Sequence, residues 1–217
     1  MSTEWLSRAL EESRARGFLG PGAIEPQIEH ANGFAHCWEE IHDSPPLNFL
    51  DLGSGGGLPG LVLLERWDCR GVLLDSMTKR TKFLEEVSHW NGAPGQLEVV
   101  TGRAEEIARE TSFDGAFHLV TARSFGPPSV VAECAIRFLK IDGILAVSEP
   151  PDDDDDLRWS REGPQELGYE DLGRVRYGAA FRVLIKRRTT SATFPRDVGI
   201  PKKRPLFLLF HVKQSSR

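Results

Sequence analysis

A glycine-rich loop that joins an apolar run to a helix-forming segment constrains the fold of this chain more than any other feature. The loop runs from residue 51 to residue 60 with the sequence DLGSGGGLPG. Its glycines allow positive φ angles and a close approach of the backbone to a ligand, and Pro59 suits the first turn of the next helix. A loop of this kind between a strand and a helix predicts an α/β fold that binds a nucleotide-like ligand.

Segments typical of strands and of helices alternate around this loop. Short apolar runs that predict strands lie at residues 47–52, 71–74, 97–100, 116–121 and 144–147. Segments that predict helices lie between them, at residues 58–65, 78–91, 104–110 and 129–139. Strands that alternate with helices at this spacing predict βαβ units and a mostly parallel, Rossmann-like sheet.

The two ends of the chain are expected to add further elements. Apolar residues recur at steps of three and four in residues 4–16 and 24–41, which predicts an N-terminal helical extension over residues 1–46. Near the other end, the runs at residues 181–186 and 206–212 predict an antiparallel C-terminal hairpin that returns to the sheet. The five consecutive acids at residues 152–156 predict an exposed loop.

The loop fits two classes of ligand. The spacing of Gly55, Gly57 and Gly60 satisfies the Gly-x-Gly-x-x-Gly fingerprint of dinucleotide sites, which is a weak signal by itself. Asp51 closes the strand just before the first glycine, where a carboxylate can accept from an ammonium group but would repel a pyrophosphate. The position of Asp51 therefore favours S-adenosyl-L-methionine and argues against an NAD-dependent dehydrogenase.

A second carboxylate supports nucleoside binding. Asp75 ends the next predicted strand, 24 residues after Asp51, and an acid at that strand tip can accept from both ribose hydroxyls. The alternative role for Asp75 is to cap the helix that follows, although Ser76 offers another cap. Ribose occurs in both ligand classes, so Asp75 does not discriminate between them.

The net charge of −5 conceals an uneven distribution. Residues 174–217 carry 12 Lys or Arg and one acid, a formal charge of +11, whereas residues 1–173 carry 15 Lys or Arg and 31 acids, a formal charge of −16. The basic end suggests RNA or another phosphate polymer as a partner, and a solvated basic face is the alternative. The three scattered cysteines and six dispersed histidines predict no metal, and without a signal peptide or membrane span a cytoplasmic location is expected.

Several motifs, taken with the loop, resemble one known family. They are LDS at residues 74–76 with KR and FL in the next helix, GRAEE at 102–106, TARS at 121–124, and FPR with a Pro- and Lys-rich segment at 194–205. Together they are similar to the ribosomal small-subunit methyltransferase G family, formerly glucose-inhibited division protein B. The resemblance implies an enzyme that forms 7-methylguanosine in 16S ribosomal RNA, with the 30S subunit as its partner.

The resemblance also implies roles for single residues. Glu105 would accept from the adenine amine, and Arg123 would fix the methionine carboxylate or the incoming RNA, which makes Arg123 the candidate catalytic residue. A solvated first-turn acid and a surface ion pair are the alternatives for these two. The loop argument and the resemblance together predict nine cofactor contacts: Asp51, Gly53, Gly55, Gly57, Leu58, Asp75, Ala104, Glu105 and Arg123.

The chain departs from the family pattern on the side that should face the RNA. An N-terminal Asn-Leu-Thr element is absent, a second element is reduced to His30, and Ser148 begins a segment that replaces a Lys-Gly pair. These departures leave the identity of the methyl acceptor more open than that of the cofactor. The predicted substrate-binding residues are His30, Arg196, Lys202, Lys203 and Arg204.

The sequence thus predicts a Rossmann-like α/β fold of the class I S-adenosylmethionine-dependent methyltransferases. Residues 1–46 form the helical extension, and residues 47–217 form the methyltransferase domain with a basic tail. Guanine N7 has an available lone pair, so in-line placement of donor and acceptor suffices without a general base. The alternatives are a methyltransferase for a small molecule or another nucleic acid, and a catalytically silent protein that binds S-adenosylmethionine or RNA.

Overall fold

A seven-stranded sheet forms the centre of the protein. The computed structural model describes residues 3–151, 158–160 and 162–207. Neighbouring strands lie in the order β3-β2-β1-β4-β5-β7-β6; β1 to β5 are parallel, and β7 is antiparallel to both β5 and β6. The strands are β1 (Asn48–Leu52), β2 (Arg70–Asp75), β3 (Leu97–Thr101), β4 (Phe117–Ala122), β5 (Leu139–Glu149), β6 (Tyr169–Tyr177) and β7 (Ala179–Lys186).

Helices cover both faces of this sheet. They are α1 (Glu4–Ala15), α2 (Glu25–Glu39), α3 (Gly60–Arg66), α4 (Thr78–Ser88), α5 (Ala104–Ile107), α6 (Pro128–Ile136), α7 (Gly163–Leu167) and α8 (Ile200–Lys203). Alternate residues of the central strands point to opposite faces, as strand geometry requires. Phe49 of β1 therefore packs with α1 to α4, and Leu50 packs with α5 to α7. The predicted class I fold, with its parallel sheet and antiparallel C-terminal hairpin, is confirmed.

The boundary between α6 and β5 differs from the prediction. The helix ends at Ile136 rather than residue 139, because Leu139 pairs with Phe117 and begins β5. The register then shifts, and Asp142 takes a φ of +64° inside this irregularity. A local apolar pattern does not reveal this early start, because it depends on a partner strand 22 residues away.

The C-terminal hairpin has different strands from those predicted. β7 pairs with β6, which precedes it in the chain, and Gly178 forms the tight turn between them with a φ of +70°. Pairing with the following run, residues 206–212, was therefore the wrong prediction for the hairpin. Residues 206 and 207 are not in a strand, and residues 208–212 lie outside the described residues, as does the acid run at 152–156.

The predicted N-terminal helices are present and pack on the sheet. Trp5 and Leu6 of α1 and Phe34 of α2 belong to the same buried cluster as Phe49 and Leu73 of the sheet. The division of the chain at residue 46 stays a prediction. Within the described part of the chain, no helix combines the length and apolar character that a bilayer span requires.

Candidate active site

The glycine loop follows β1 at the point where the strand order reverses. β2 lies on one side of β1 and β4 on the other, and open α/β sheets bind their ligands outside the carboxyl ends of such strands. The N–H groups of Gly53 and Ser54 donate to the Leu74 carbonyl at the end of β2, at 2.8 and 3.0 Å. The loop is therefore fixed to the neighbouring strand beside the opening of this crevice.

Close contacts require a glycine at two positions of the loop, and at one of them the backbone conformation requires it as well. Gly53 has a φ of +76°, and a Cβ on it would lie 2.6 Å from Cδ2 of Phe125. A Cβ on Gly56 would lie 2.3 Å from Oγ of Ser13, the hydroxyl that donates to the Gly56 carbonyl at 2.8 Å. Helix α1 and the segment after β4 thus hold the loop from two sides. Gly57 also has a positive φ, of +104°.

Asp51 lies beneath the loop and is fully buried. One of its carboxylate oxygens accepts from the Gly60 N–H at 2.9 Å, and the other accepts from the Thr121 hydroxyl at 3.1 Å. Burial raises the pKa of Asp51 to about 7, against the opposing effect of these two donors. The carboxylate therefore joins the two ends of the loop to β4, and a direct contact with a ligand ammonium stays a prediction.

Asp75 joins the loop to the start of α4. Its Oδ2 accepts from the Gly55 N–H at 2.9 Å and pairs with Arg80 at 3.3 Å, while its Oδ1 accepts from the Met77 N–H at 2.8 Å. The carboxylate thus supports the first turn of α4, and it also lines the adjacent cavity. The predicted contact with ribose is compatible with this position and stays a prediction.

A cavity of about 250 Å³ lies next to Asp75. Ala104 and Glu105 form another wall of it, and Met77 and Phe125 supply apolar surface. Oε1 of Glu105 accepts from the Gly199 N–H at 3.0 Å and from Arg103 at 3.1 Å. Burial would raise the pKa of Glu105, but these donors hold it below its ordinary value. Glu105 is therefore a buried, ionised group that also anchors the C-terminal segment, and not a solvated surface acid.

A second cavity, of about 220 Å³, lies on the other side of the loop. Gly55, Leu58, Arg80 and Arg123 line it. Among the described residues, Nη1 of Arg123 and Nε of Arg80 are buried and have no hydrogen-bond partner. Burial lowers the pKa of Arg123, and the charge of Asp51 opposes that effect. The predicted alternative of a surface ion pair does not describe Arg123, because its Nη1 lacks a partner.

The two cavities meet at Gly53, Arg80 and Ser124. The first offers buried carboxylates and apolar walls, and the second offers the half-buried Arg123, whose Nη1 is buried and unsatisfied. Such a pair fits a ligand with a nucleoside at one end and an amino acid at the other, and the missing side chain of Gly53 leaves room between them. No cluster of three or more metal-ligating side chains occurs in the described ranges.

The predicted substrate-side residues are divided between different places. His30 shares a hydrogen bond of 2.8 Å with the Ser148 hydroxyl, and burial together with the charge of Arg123 lowers its pKa to about 4. Ser148 lies at the end of β5. His30 and Ser148 both belong to segments that depart from the family pattern, and the structure brings the two side chains together near Arg123. His30 is thus a neutral imidazole close to the cleft.

The basic tail residues have separate environments. Arg196 forms a bidentate pair with Glu133, which is fully buried, at 2.8 and 2.6 Å. Lys202 lines the first cavity, and Lys203 and Arg204 are exposed. Arg196 therefore holds the tail to α6, whereas Lys203 and Arg204 are open to a polyanion.

Arg80, Ser124 and Phe125 are among the residues of the site that were not predicted. Arg80 lies in the helix motif KR and Ser124 in the motif TARS, so sequence signals existed for both of them. Ser124 has a φ of +55°, unusual for a residue other than glycine, and it borders both cavities. Phe125 had no comparable signal, because its role is a contact with Gly53, 72 residues earlier.

Comparisons with known proteins agree with this geometry. Residues 28–172 match the family model described as GidB, rRNA small subunit methyltransferase G. Relatives named Ribosomal RNA small subunit methyltransferase G occur in Streptococcus equi subsp. zooepidemicus and Fervidobacterium nodosum. The first is 32% identical over 170 residues, covering 74% of this chain and 70% of the relative. The second is 31% identical over 166 residues, covering 73% and 76%.

Solved structures share the fold. One is the cofactor-bound protein Rv0187 from MTB, with a TM-score of 0.59, 18% identity, and coverage of 86% of this chain and 91% of that one. Another is a variant of the branched-chain polyamine synthase from Thermus thermophilus, with a TM-score of 0.59, 17% identity, and coverage of 85% and 65%. At such identities the likeness concerns the fold alone, because one fold supports several chemistries. The family match, over a segment that includes the glycine loop, Asp75, Glu105 and Arg123, decides the classification: the chain belongs to the rRNA small subunit methyltransferase G family, whose members are S-adenosylmethionine-dependent methyltransferases.

Proposed function

We propose that this protein transfers the methyl group of S-adenosyl-L-methionine to N7 of a guanine in 16S ribosomal RNA, within the 30S subunit. The observation that carries the proposal is the pair of cavities that meet at Gly53, with Asp75 and Glu105 in one and the unpartnered Nη1 of Arg123 in the other. Membership of the family adds the class of acceptor.

The residues of the two cavities divide the cofactor between them. Asp75 would accept from the ribose hydroxyls, and Ala104 and Glu105 would border the adenine. Arg123 would donate to the methionine carboxylate, which supplies the acceptor that its Nη1 lacks, and Leu58 would pack on the aliphatic part. Asp51 acts through the loop as a positioning residue, because its oxygens bond to Gly60 and Thr121.

The site needs to orient two reactants and to exclude water, and it needs no general base. Bound S-adenosylmethionine would supply an electrophilic methyl group on a sulfonium, which the lone pair of guanine N7 could attack. The C–N bond would form as the C–S bond breaks, and no proton would leave the base. In-line placement of the two reactants is then the main source of the rate enhancement. The nearby imidazole of His30 agrees with a mechanism without a general base, because its Nε2 is already hydrogen-bonded to Ser148.

The tail contributes in two ways in this proposal. Lys203 and Arg204 contact RNA phosphates, because they are exposed and directly follow Lys202, which lines the first cavity. Arg196 positions that segment through Glu133, and Lys202 borders the cofactor. The N-terminal extension over residues 1–46 closes the methionine side through Phe18 and Leu19. Because ribosomal RNA is the proposed substrate, a cytoplasmic location belongs to the proposal.

The experiment is a methyl-transfer assay with tritiated S-adenosylmethionine and 30S subunits. We expect label in 16S RNA at guanine N7, located by cleavage at the methylated base. The variant Asp75→Ala should abolish the label by weakening cofactor binding. Cofactor binding by the wild type without transfer to 30S subunits would contradict the proposal, and label in a small molecule would favour that class of acceptor.

A further inference from the structure

A third cavity, of about 260 Å³, lies beside the cofactor cleft at the carboxyl ends of β4 and β5. Ser124 and Gly126 form the wall that follows β4, and Ser148 and Glu149 form the wall at the end of β5. Ser124 borders all three cavities, and Phe125 borders this one and the cavity next to Asp75. The third cavity thus adjoins the junction of the other two at Ser124.

The charged groups of this cavity are paired with each other. Arg158 pairs with Glu149, whose other oxygen accepts from the Trp159 indole at 2.9 Å. The Ser148 hydroxyl bonds to the neutral imidazole of His30. Phe125 and Val147 supply apolar surface. Paired charges, hydroxyls and an aromatic ring suit an uncharged planar heterocycle better than a phosphate or a carboxylate.

We propose that this cavity holds the methyl-acceptor base as an unstacked purine nucleotide, an assignment that rests on the proposed function above. Ser148 and Gly126 define its two side walls, and Ser124 directs the reactive nitrogen towards the cofactor. A base inside a stacked helix does not reach a concave pocket, so the nucleotide must turn out of the RNA stack. The transfer then balances as above, with the nitrogen lone pair forming the new C–N bond.

The test fills the cavity from each wall in turn. Gly126 is exposed, and a Cβ on it meets Val130 at 3.5 Å, an ordinary contact, so Gly126→Leu should fold. Ser148→Leu blocks the opposite wall. We expect each variant to transfer methyl to 30S subunits about 100-fold more slowly, because a base displaced by a side chain loses in-line geometry. The dissociation constant of S-adenosylmethionine should not change, because neither residue lines the two cofactor cavities.

The matched comparison is Gly126→Ala, which adds the same Cβ without the rest of the leucine side chain and should slow transfer much less than Gly126→Leu. Normal transfer by both leucine variants would overturn the acceptor site and leave the proposed function intact. Loss of cofactor binding in either leucine variant would also overturn it, because the cavity would then be part of the cofactor site. Absence of transfer by the wild type, in contrast, would overturn the proposed function and this assignment together.

Discussion

The Asp51 carboxylate shapes the glycine loop from below. Both of its oxygens bond to protein donors, one on Gly60 at the far end of the loop and one on Thr121 of β4. Its side chain has no exposed area, and burial raises its pKa to about 7. A carboxyl group whose folded pKa exceeds that of the unfolded chain binds protons more tightly in the folded state, so stability depends on pH.

This dependence gives a prediction for Asp51. As pH rises from about 4 to about 7, the unfolded chain has lost the Asp51 proton while the folded protein keeps it, so the free energy of unfolding falls over that window. Above about pH 7 Asp51 is ionised in both states, so its contribution to the free energy of unfolding no longer changes with pH. Asp51→Asn removes this contribution. Urea unfolding at pH values from about 4.5 to about 8 measures the free energy of unfolding of the variant and the wild type. The difference between these two free energies should grow with pH. A difference that does not change with pH would contradict the assignment.

Arg123 gives a second prediction at the scale of one residue. Because its Nη1 has no partner in the described structure, removing that donor leaves no protein acceptor unsatisfied. Arg123→Met should weaken S-adenosylmethionine binding by about 10- to 100-fold, the value of a charge-assisted hydrogen bond, with little change in stability. Isothermal titration calorimetry measures it. An unchanged cofactor affinity with a raised KM for 30S subunits would assign Arg123 to the RNA instead.

At the scale of elements, helix α6 and the C-terminal tail depend on each other. Glu133 on α6 is fully buried, and it accepts from the Arg196 guanidinium and from the Arg196 backbone N–H. Arg196 also donates to the Arg204 carbonyl at 2.7 Å. The tail that carries Lys202 and Lys203 is therefore held to the core by a buried ion pair as well as by the bond from Gly199 to Glu105.

Removing one partner of this pair should be costly. Arg196→Met leaves the Glu133 carboxylate buried without its cation, and we expect a loss of about 3–5 kcal/mol in the free energy of unfolding. The matched control is Arg187→Met, which breaks an exposed pair with Asp142 and Glu170 and should cost at most about 1 kcal/mol. Urea denaturation compares them, and equal losses would contradict a structural role for Arg196.

At the scale of the whole molecule, the uneven charge gives a further prediction. Lys203 and Arg204 carry exposed positive charge beside an otherwise acidic chain. The double variant Lys203→Gln with Arg204→Gln should reduce the salt dependence of RNA binding by about two units of slope, one for each lost phosphate contact. Fluorescence anisotropy with a 16S RNA fragment at several salt concentrations measures the slope.

The control for this prediction makes the same change in net charge at the other edge of the sheet. Lys140 and Arg187 lie at the start of β5 and the end of β7, away from the cofactor cavities. Lys140→Gln with Arg187→Gln should leave the salt slope unchanged. A reduction equal to that of the tail variant would mean that the effect comes from net charge and not from contacts of Lys203 and Arg204.

The sequence by itself determined the elements that depend on local patterns. The strand, glycine loop and helix around Asp51, the alternation that follows, and the two N-terminal helices all have a periodicity that a short segment contains. The cofactor class also followed from short motifs, because Gly53, Asp75, Glu105 and Arg123 lie at or just after the ends of β1, β2, β3 and β4. The carboxyl ends of these parallel strands meet at one edge of the sheet.

Only the tertiary structure decided the contacts between distant segments. Glu133 meets Arg196 across 63 residues, His30 meets Ser148 across 118, and β7 pairs with the strand before it rather than the run after it. The burial of Asp51 also belongs here, because Thr121 and Gly60 enclose it from different elements. A short sequence pattern carries the spacing of residues along one element, whereas these features depend on which faces of separate elements pack together.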